Sequence, residues 1–236
     1  MPTLTKVAKF GGTSMADAEA MKRSAAIVAR DNDKRLIVVS ATSGTTNLLT
    51  ALCGTLPREE KRAIADQIED KHRTICSELK QPEATQPGLD DIIKELRLHC
   101  EQDIVGPKQK DEILACGERM SSLLFAAFLN ELEPGTIWFD AREVIATDDA
   151  YGGAEPDIEA IERNANKKLR PLAAAHKVVS QGFIGSDSNG VTTTLGRGGS
   201  DYSAALLAEA LNADVLEIWT DVTAIYTTDP RIEPDA

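Results

Sequence analysis

Thr192-Thr-Thr-Leu-Gly-Arg-Gly-Gly-Ser-Asp-Tyr-Ser-Ala-Ala-Leu-Leu-Ala-Glu-Ala-Leu211 is the stretch that decides how this chain folds. Its first half is a glycine-rich loop holding one arginine. Its second half, from Ser200, has the Ala/Leu-rich pattern of an amphipathic helix, with Ser or Asp as the expected cap. Gly196, Gly198 and Gly199 let successive N–H groups turn to one side, and a helix start adds unpaired donors and a positive dipole end. Arg197 adds a planar, bidentate grip on a carboxylate or phosphate. Glycines alone would describe a tight turn between a strand and a surface helix; the arginine in the loop and the acid at the helix start favour an anion cradle.

Working outward, Val191–Leu195 is a return strand, Ser186-Asp-Ser-Asn-Gly190 has the chemistry of a hairpin turn, and Lys177–Ile184 reads as a buried strand. After the cradle helix comes a strand, Val215–Trp219, ending in Thr220-Asp221. The segment Ile225-Tyr-Thr-Thr-Asp-Pro-Arg231 follows, either an everyday turn at Asp229-Pro230 or a nucleotide contact through a ring and Arg231.

At the other end of the chain, residues 4–10 predict a first strand, and Gly11-Gly-Thr-Ser14 breaks it before a helix from about Ala16 to Ala29. Neither a P-loop nor a G-x-G-x-x-G spacing occurs there, which argues against a dinucleotide-binding oxidoreductase. Lys9, at the end of that strand, either reaches over the turn toward a phosphate or is simply solvated. Arg35–Ser40 is a nearly continuous apolar run, the mark of a strand covered on both faces in a parallel sheet. The hydroxyl-rich loop Ala41-Thr-Ser-Gly-Thr-Thr-Asn47 follows at the carboxyl end of that strand, where open α/β sheets bind ligands, and leads to a helix around Leu48–Leu52.

From Pro57 to about Leu132 the pattern is helical, with Ile64, Ile68, Ile75 and Leu79 on one face, and breaks are expected at Pro82–Gly88 and Gly106-Pro107. This stretch reads as a helical insertion projecting from the sheet. Within it Glu118 interrupts a packing helix and needs a partner, either a neighbouring cation as structure or a substrate ammonium. Thr136–Asp140 predicts another strand, Arg142–Ala146 a possible continuation of the sheet, and Pro156–Ala174 a helix with Pro in its first turn.

The totals bound what such a chain does. With 236 residues, 42% of them hydrophobic, it suits one large α/β domain or two small ones. A formal charge of −12 excludes a broad surface for nucleic acid or acidic membrane, so an anionic ligand must be held locally. The four cysteines and three histidines show no metal-ligand spacing, and the cysteines are expected as free thiols in a reducing compartment. With no apolar run of membrane-spanning length and no signal-peptide pattern, a cytoplasmic protein is expected.

Taken together, Lys9-Phe-Gly-Gly-Thr-Ser14, Ser40-Ala-Thr-Ser-Gly-Thr-Thr-Asn47, Gly117-Glu118, Gly182-Phe183, Thr194-Leu-Gly-Arg-Gly-Gly-Ser-Asp201 and Trp219-Thr-Asp with Tyr226-Thr-Thr-Asp-Pro-Arg231 resemble the aspartokinases, most closely the lysine-sensitive type III. The resemblance runs the whole length in the same order. It implies the amino acid kinase fold, an α/β architecture with an open, mainly parallel sheet between helical layers. It also implies transfer of the ATP γ-phosphoryl group, with Mg²⁺, to the side-chain carboxylate of L-aspartate, the first step toward lysine, threonine and methionine. By the same resemblance Lys9 contacts the transferring phosphoryl, Gly11 and Gly12 lie near the phosphates, and Ser40 lies in the catalytic cleft. Thr46, Glu118, Phe183, Arg197, Gly198, Ser200 and Asp201 surround the aspartate, with Asp201 also positioning Lys9. Thr220, Asp221, Tyr226 and Arg231 take the nucleotide side. The family usually has Pro-Gly or Asp-Gly where this chain has Thr223-Ala224, and it continues past the equivalent of Ala236 with nucleotide-site elements and ACT regulatory domains. The resemblance therefore implies an incomplete catalytic portion, with weak ATP binding or low activity, no feedback control by lysine, and a possible homodimer.

Overall fold

The computed structural model describes residues 5–101 and 105–220. Five parallel strands form the sheet: β1 (Lys6–Phe10), β2 (Lys34–Val39), β3 (Ile137–Trp138), β4 (Val178–Gln181) and, numbered last in the chain, β7 (Val215–Trp219), in the order β3-β4-β2-β1-β7. The register sets Lys9 beside Val38 on one side and Ile218 on the other, so the neighbouring strand tips end together. The alternation of side chains across the sheet explains the unbroken apolar run of β2. Leu36 and Val38 pack with Val7 and Val178 on one face, while Ile37 and Val39 pack with Ala8, Phe10 and Val179 on the other.

One face is covered by α1 (Ala18–Ala29), α2 (Thr45–Leu52) and α5 (Pro107–Asn130). The other is covered by α8 (Gly199–Ala210) and by α6 (Ile158–Asn164), which continues through a π turn into α7 (Arg170–Ala175). Outside the first layer lie α3 (Arg58–Ser77) and α4 (Pro82–Cys100). A hairpin of β5 (Ile184–Ser186) and β6 (Thr192–Thr194) stands beyond the carboxyl end of β4 and returns the chain to the cradle.

Several local expectations change in the folded chain. The stretch 57–132 does not project as one piece. Its last helix, α5, packs directly on β2, β3 and β4 and is buried nearly all round, from Ile113 and Cys116 to Phe125 and Phe128, as an inner helix must be. The break expected across Pro82–Gly88 falls earlier, because Pro82 opens α4 and the buried stripe Leu89, Ile92, Ile93 and Leu96 carries the helix through Pro87. Arg142–Ala146 is a 3₁₀ turn (Ala141–Glu143) followed by one bridge from Ala146 to Ser186, not a strand. Pro156 precedes the helix, whose cap is Asp157 accepting from the Ala160 amide. The strand expected over Lys177–Ile184 is split at Gly182-Phe183, where Phe183 takes φ = 70°.

Candidate active site

Four turns meet at the carboxyl end of the sheet, as ligand-binding loops of open α/β sheets do. They are the glycine turn after β1, the 40–44 loop after β2, the Gly182-Phe183 kink after β4, and the 195–198 loop before α8. Together with the tip of β7 and one turn of α5 they enclose a cleft of about 560 Å³. Lys9, Gly11, Gly12, Ser40 and Thr46 line it from β1, β2 and α2. Glu118 lines it from α5, Phe183 from the kink, Arg197, Gly198, Ser200 and Asp201 from the cradle, and Thr220 from β7. Every sequence-predicted site residue that the structure describes is therefore in one place; Asp221, Tyr226, Arg231 and the Thr223-Ala224 turn lie outside the described residues.

The cradle differs in one respect from expectation. Neither Ser200 nor Asp201 caps α8. Gly198 occupies that position with φ = 77°, a left-handed conformation that a residue with a Cβ adopts at a cost, and no side chain accepts from the first turn. Asp201 instead reaches across to the Lys9 ammonium, Oδ1 to Nζ 2.7 Å. The Lys9 side chain is 11% exposed and that of Asp201 57%, so the pair sits with the cation sheltered and the acid facing the opening. Arg197 is exposed on the cleft wall and has no partner among the described residues.

Glu118 lies at the cleft floor, 5% exposed. It gets there because Gly117 lets α5 approach α2 and the β2 loop: a Cβ on Gly117 would stand 2.9 Å from Leu49 Cδ1 and 3.0 Å from the Ala41 Cβ. The Ala41 amide donates to Glu118 Oε1 at 3.2 Å, and among the described residues no cation pairs with it. Burial pushes the carboxyl up to about 7, against the smaller downward pull of that amide. A carboxylate held this way is poised to gain from a cation arriving in the cleft.

Other residues hold the loops, and most of them carry no local sequence signal. Phe183 keeps its positive φ because its amide donates to Ser203 Oγ at 2.8 Å, and Ser203 in turn donates to the Gly199 carbonyl at 2.7 Å. His72 is fully buried, with Nδ1 donating to the Ile68 carbonyl at 2.7 Å, which leaves Nε2 to accept from Thr42 at 3.3 Å. Burial lowers its pKa to about 4, so the ring is neutral at pH 7 and braces the 40–44 loop. Asp111 on α5, fully buried, accepts from Thr194 and Gly152 beneath the cradle. The four cysteines are free, and burial pushes Cys116 up to about 12 and Cys53 to about 11, so neither is a thiolate nucleophile.

The class of protein is fixed by the sequence over this fold: residues 5–236 match the amino acid kinase family, to which the chain belongs. Within that family it is similar to the lysine-sensitive aspartokinase 3 of Escherichia coli strain K12, 46% identical over 228 residues, covering 96% of this chain and 51% of the relative. It is also similar to the aspartokinase of Chlamydia pneumoniae, 37% identical, covering 98% of this chain and 50% of that one. Among solved structures, E. coli aspartokinase III with aspartate and ADP, in the R-state, superimposes with a TM-score of 0.93 at 46% identity, over 97% of this chain and 52% of that chain. The T-state complex of the same enzyme with lysine and aspartate gives 0.90 at 45% identity, over 98% and 52%. The chain thus spans about half the length of the relatives it matches.

Proposed function

We propose that the cleft transfers the γ-phosphoryl group of ATP to the side-chain carboxylate of L-aspartate, giving 4-phospho-L-aspartate and ADP. The observation that carries this reading is the shared cleft itself: Lys9 and Arg197, two cations from separate glycine turns, face one space with a buried carboxylate on its floor. The names of the relatives, and the aspartate and ADP in the E. coli complex, point the same way.

The acceptor carboxylate, with a pKa of about 4, is already ionised at pH 7, so no general base is required. Its oxygen attacks the γ-phosphorus, an O–P bond forms, and the bond to the bridging β-oxygen breaks as ADP leaves. What the chain must supply is alignment and neutralisation of two meeting anions. In this reading Lys9, oriented by Asp201, takes the charge on the transferring group, and Gly11 and Gly12 with Ser40 frame the phosphates. Arg197 holds a carboxylate of the amino acid, Glu118 its ammonium, and Thr46, Phe183, Gly198 and Ser200 close around it. Thr220 lies toward the nucleotide, the side to which the resemblance also assigns Asp221, Tyr226 and Arg231. Mg²⁺ commonly enters on substrate phosphates with one or two carboxylates. In this reading the ion would enter with the nucleotide's phosphates, and Asp201, an exposed carboxylate of the cleft, is placed to meet it.

The buried Glu118 also separates aspartate from N-acetylated acceptors, because an acetylated amine brings no charge to offset a desolvated carboxylate. Incubation with ATP, Mg²⁺, hydroxylamine and aspartate, glutamate or acetylglutamate in turn tests the reading. Hydroxamate should form with aspartate. Hydroxamate from another acid instead would reassign the acceptor, and aspartate binding without turnover would make this a binding domain.

A further inference from the structure

We infer that Asp111 is a positioning residue for amino acid capture: its buried carboxylate fixes the floor on which the Arg197 loop rests. The inference deepens the proposed aspartate site and relies on it for the identity of the ligand. Asp111 lies on α5, outside the cleft lining, and is 0% exposed. Its Oδ2 accepts from the Thr194 amide at 2.8 Å and the Gly152 amide at 3.0 Å, and its Oδ1 accepts from the Thr194 hydroxyl at 2.9 Å. Three donors from two separate segments thus converge on one side chain.

Both segments lie directly under the arginine loop. Thr194 is the last residue of β6, and its carbonyl accepts from the Ala154 amide at 2.8 Å, so the 152–154 turn is laced to the strand from both sides. Gly196, at φ = 72°, lies over that turn: a Cβ there would come within 3.4 Å of the Gly152 carbonyl oxygen. Leu195, between Thr194 and Gly196, donates to the Phe183 carbonyl at 2.9 Å, which ties the same floor to the Phe183 kink. Arg197 has no partner of its own among the described residues, so its placement comes from the backbone beneath it. A carboxylate suits the site because it accepts from all three groups at once through charge-assisted bonds. An amide of the same size keeps one oxygen for the two N–H groups but turns its NH₂ to the Thr194 hydroxyl, which must reverse to accept, and all three bonds lose the charge.

The test is a comparison of Asp111→Asn and Thr194→Val with Lys177→Met, made in the protein at its full natural length. Lys177 is also buried, 5% exposed, but its ammonium caps backbone carbonyls at the opposite end of the sheet. A displacement of about 1 Å can cost around 10²-fold in a positioned reaction. Asp111→Asn is expected to raise the aspartate KM about tenfold or more, and Thr194→Val about threefold, with kcat and the ATP KM changed by less than about twofold. Lys177→Met is expected to lower the Tm and leave the aspartate KM alone. Backbone amide exchange across 194–199 should quicken in Asp111→Asn and not in Lys177→Met.

An aspartate KM unchanged in both site variants, or raised equally in Lys177→Met, would overturn the inference. If Asp111→Asn does not fold, Thr194→Val decides, since it removes one hydroxyl and keeps the amide bonds. If the parent protein neither binds nor phosphorylates aspartate, the functional reading fails by itself. Amide exchange then decides the positioning role: equal exchange across 194–199 in the two buried variants would end it.

Discussion

The two ends of the parallel sheet hold similar charged residues and treat them in opposite ways. At the amino end, Lys34 is 5% exposed and pairs with Asp31 at 2.8 Å and Glu217 at 3.1 Å. Hydrogen bonds from Lys34 and then Lys6 hold the Asp31 carboxyl well below the usual range. Lys177 donates to the carbonyls of Val28, Asp31 and Lys34 at 3.3, 2.8 and 3.3 Å. At the carboxyl end, Glu118 is just as buried but has no cation, and Arg197 has no partner among the described residues. Charges that are buried and satisfied tie a fold together, whereas charges buried or poised without a partner mark the place where a ligand completes them. The contrast predicts that substitutions at one end change kinetics and those at the other change stability.

The largest effect is expected from Lys9→Ala. Removing one preorganised donor to developing charge costs about 10²–10³-fold in turnover. A steady-state assay should show that loss in kcat, with aspartate affinity changed far less. An equal fall in aspartate affinity with little change in kcat would place Lys9 on the amino acid and not on the phosphoryl group.

Glu118→Gln sharpens the comparison through pH. The native carboxyl titrates at about 7 against an ordinary value of 4.5. Between those values the folded protein holds a proton that the unfolded chain has lost, so stability falls as pH rises from 4.5 to 7. The ionised, buried group then costs about 3 kcal/mol above pH 7. The Gln variant should therefore gain in Tm at pH 8 and not at pH 4.5. Its aspartate affinity should be poor at every pH, while that of the parent should weaken up to about tenfold per unit below pH 7, as the ammonium's partner is neutralised. A parent KM for aspartate that is flat from pH 6 to 8 would remove Glu118 from amine recognition.

The contrast was only partly visible in the sequence. The unbroken run of β2, the Ser186–Gly190 turn and the Gly-Arg-Gly-Gly loop are local signals, and each appears where its chemistry places it, save that Ser186 itself ends β5. Glu118 stood out because a charge interrupts an otherwise packing helix. Its partner, the Ala41 amide, is 77 residues away and no pattern announces it. Asp111 carries no signal at all, since its partners lie 41 and 83 residues distant. The kink at Phe183 is hidden for a similar reason: Lys177–Ile184 has strand composition, and a hydroxyl 20 residues on, from Ser203, holds the bend. Proline misled twice, at Pro87 and Pro156, because tertiary packing of α4 and the Asp157 cap overrode a local preference.

At the amino end, Lys177→Met should lower stability by about 2 kcal/mol, the order expected when buried carbonyls lose a donor. Burial already lowers the pKa of this lysine, which limits how much the ion itself contributes. Denaturant unfolding measures the loss, and unchanged kcat and KM values would keep the two ends distinct. A change in aspartate KM would mean that strain crosses the sheet and that the division between the ends is not real.

The smallest effect, and the most discriminating, is expected from Arg197→Lys. The substitution keeps the charge at the cleft wall and removes the planar fork that grips a carboxylate with two parallel bonds. If Arg197 acted only by its field, the aspartate KM would stay near that of the parent and rise with salt as before. If it acts by geometry, the KM should rise about tenfold, equivalent to about 1.4 kcal/mol, with little change in kcat. Geometry is the expected answer, because Asp111, Thr194 and the turn at Gly152 hold the backbone beneath a side chain that nothing else among the described residues restrains. A scaffold so constrained would be superfluous for a point charge, which a mobile lysine delivers as well.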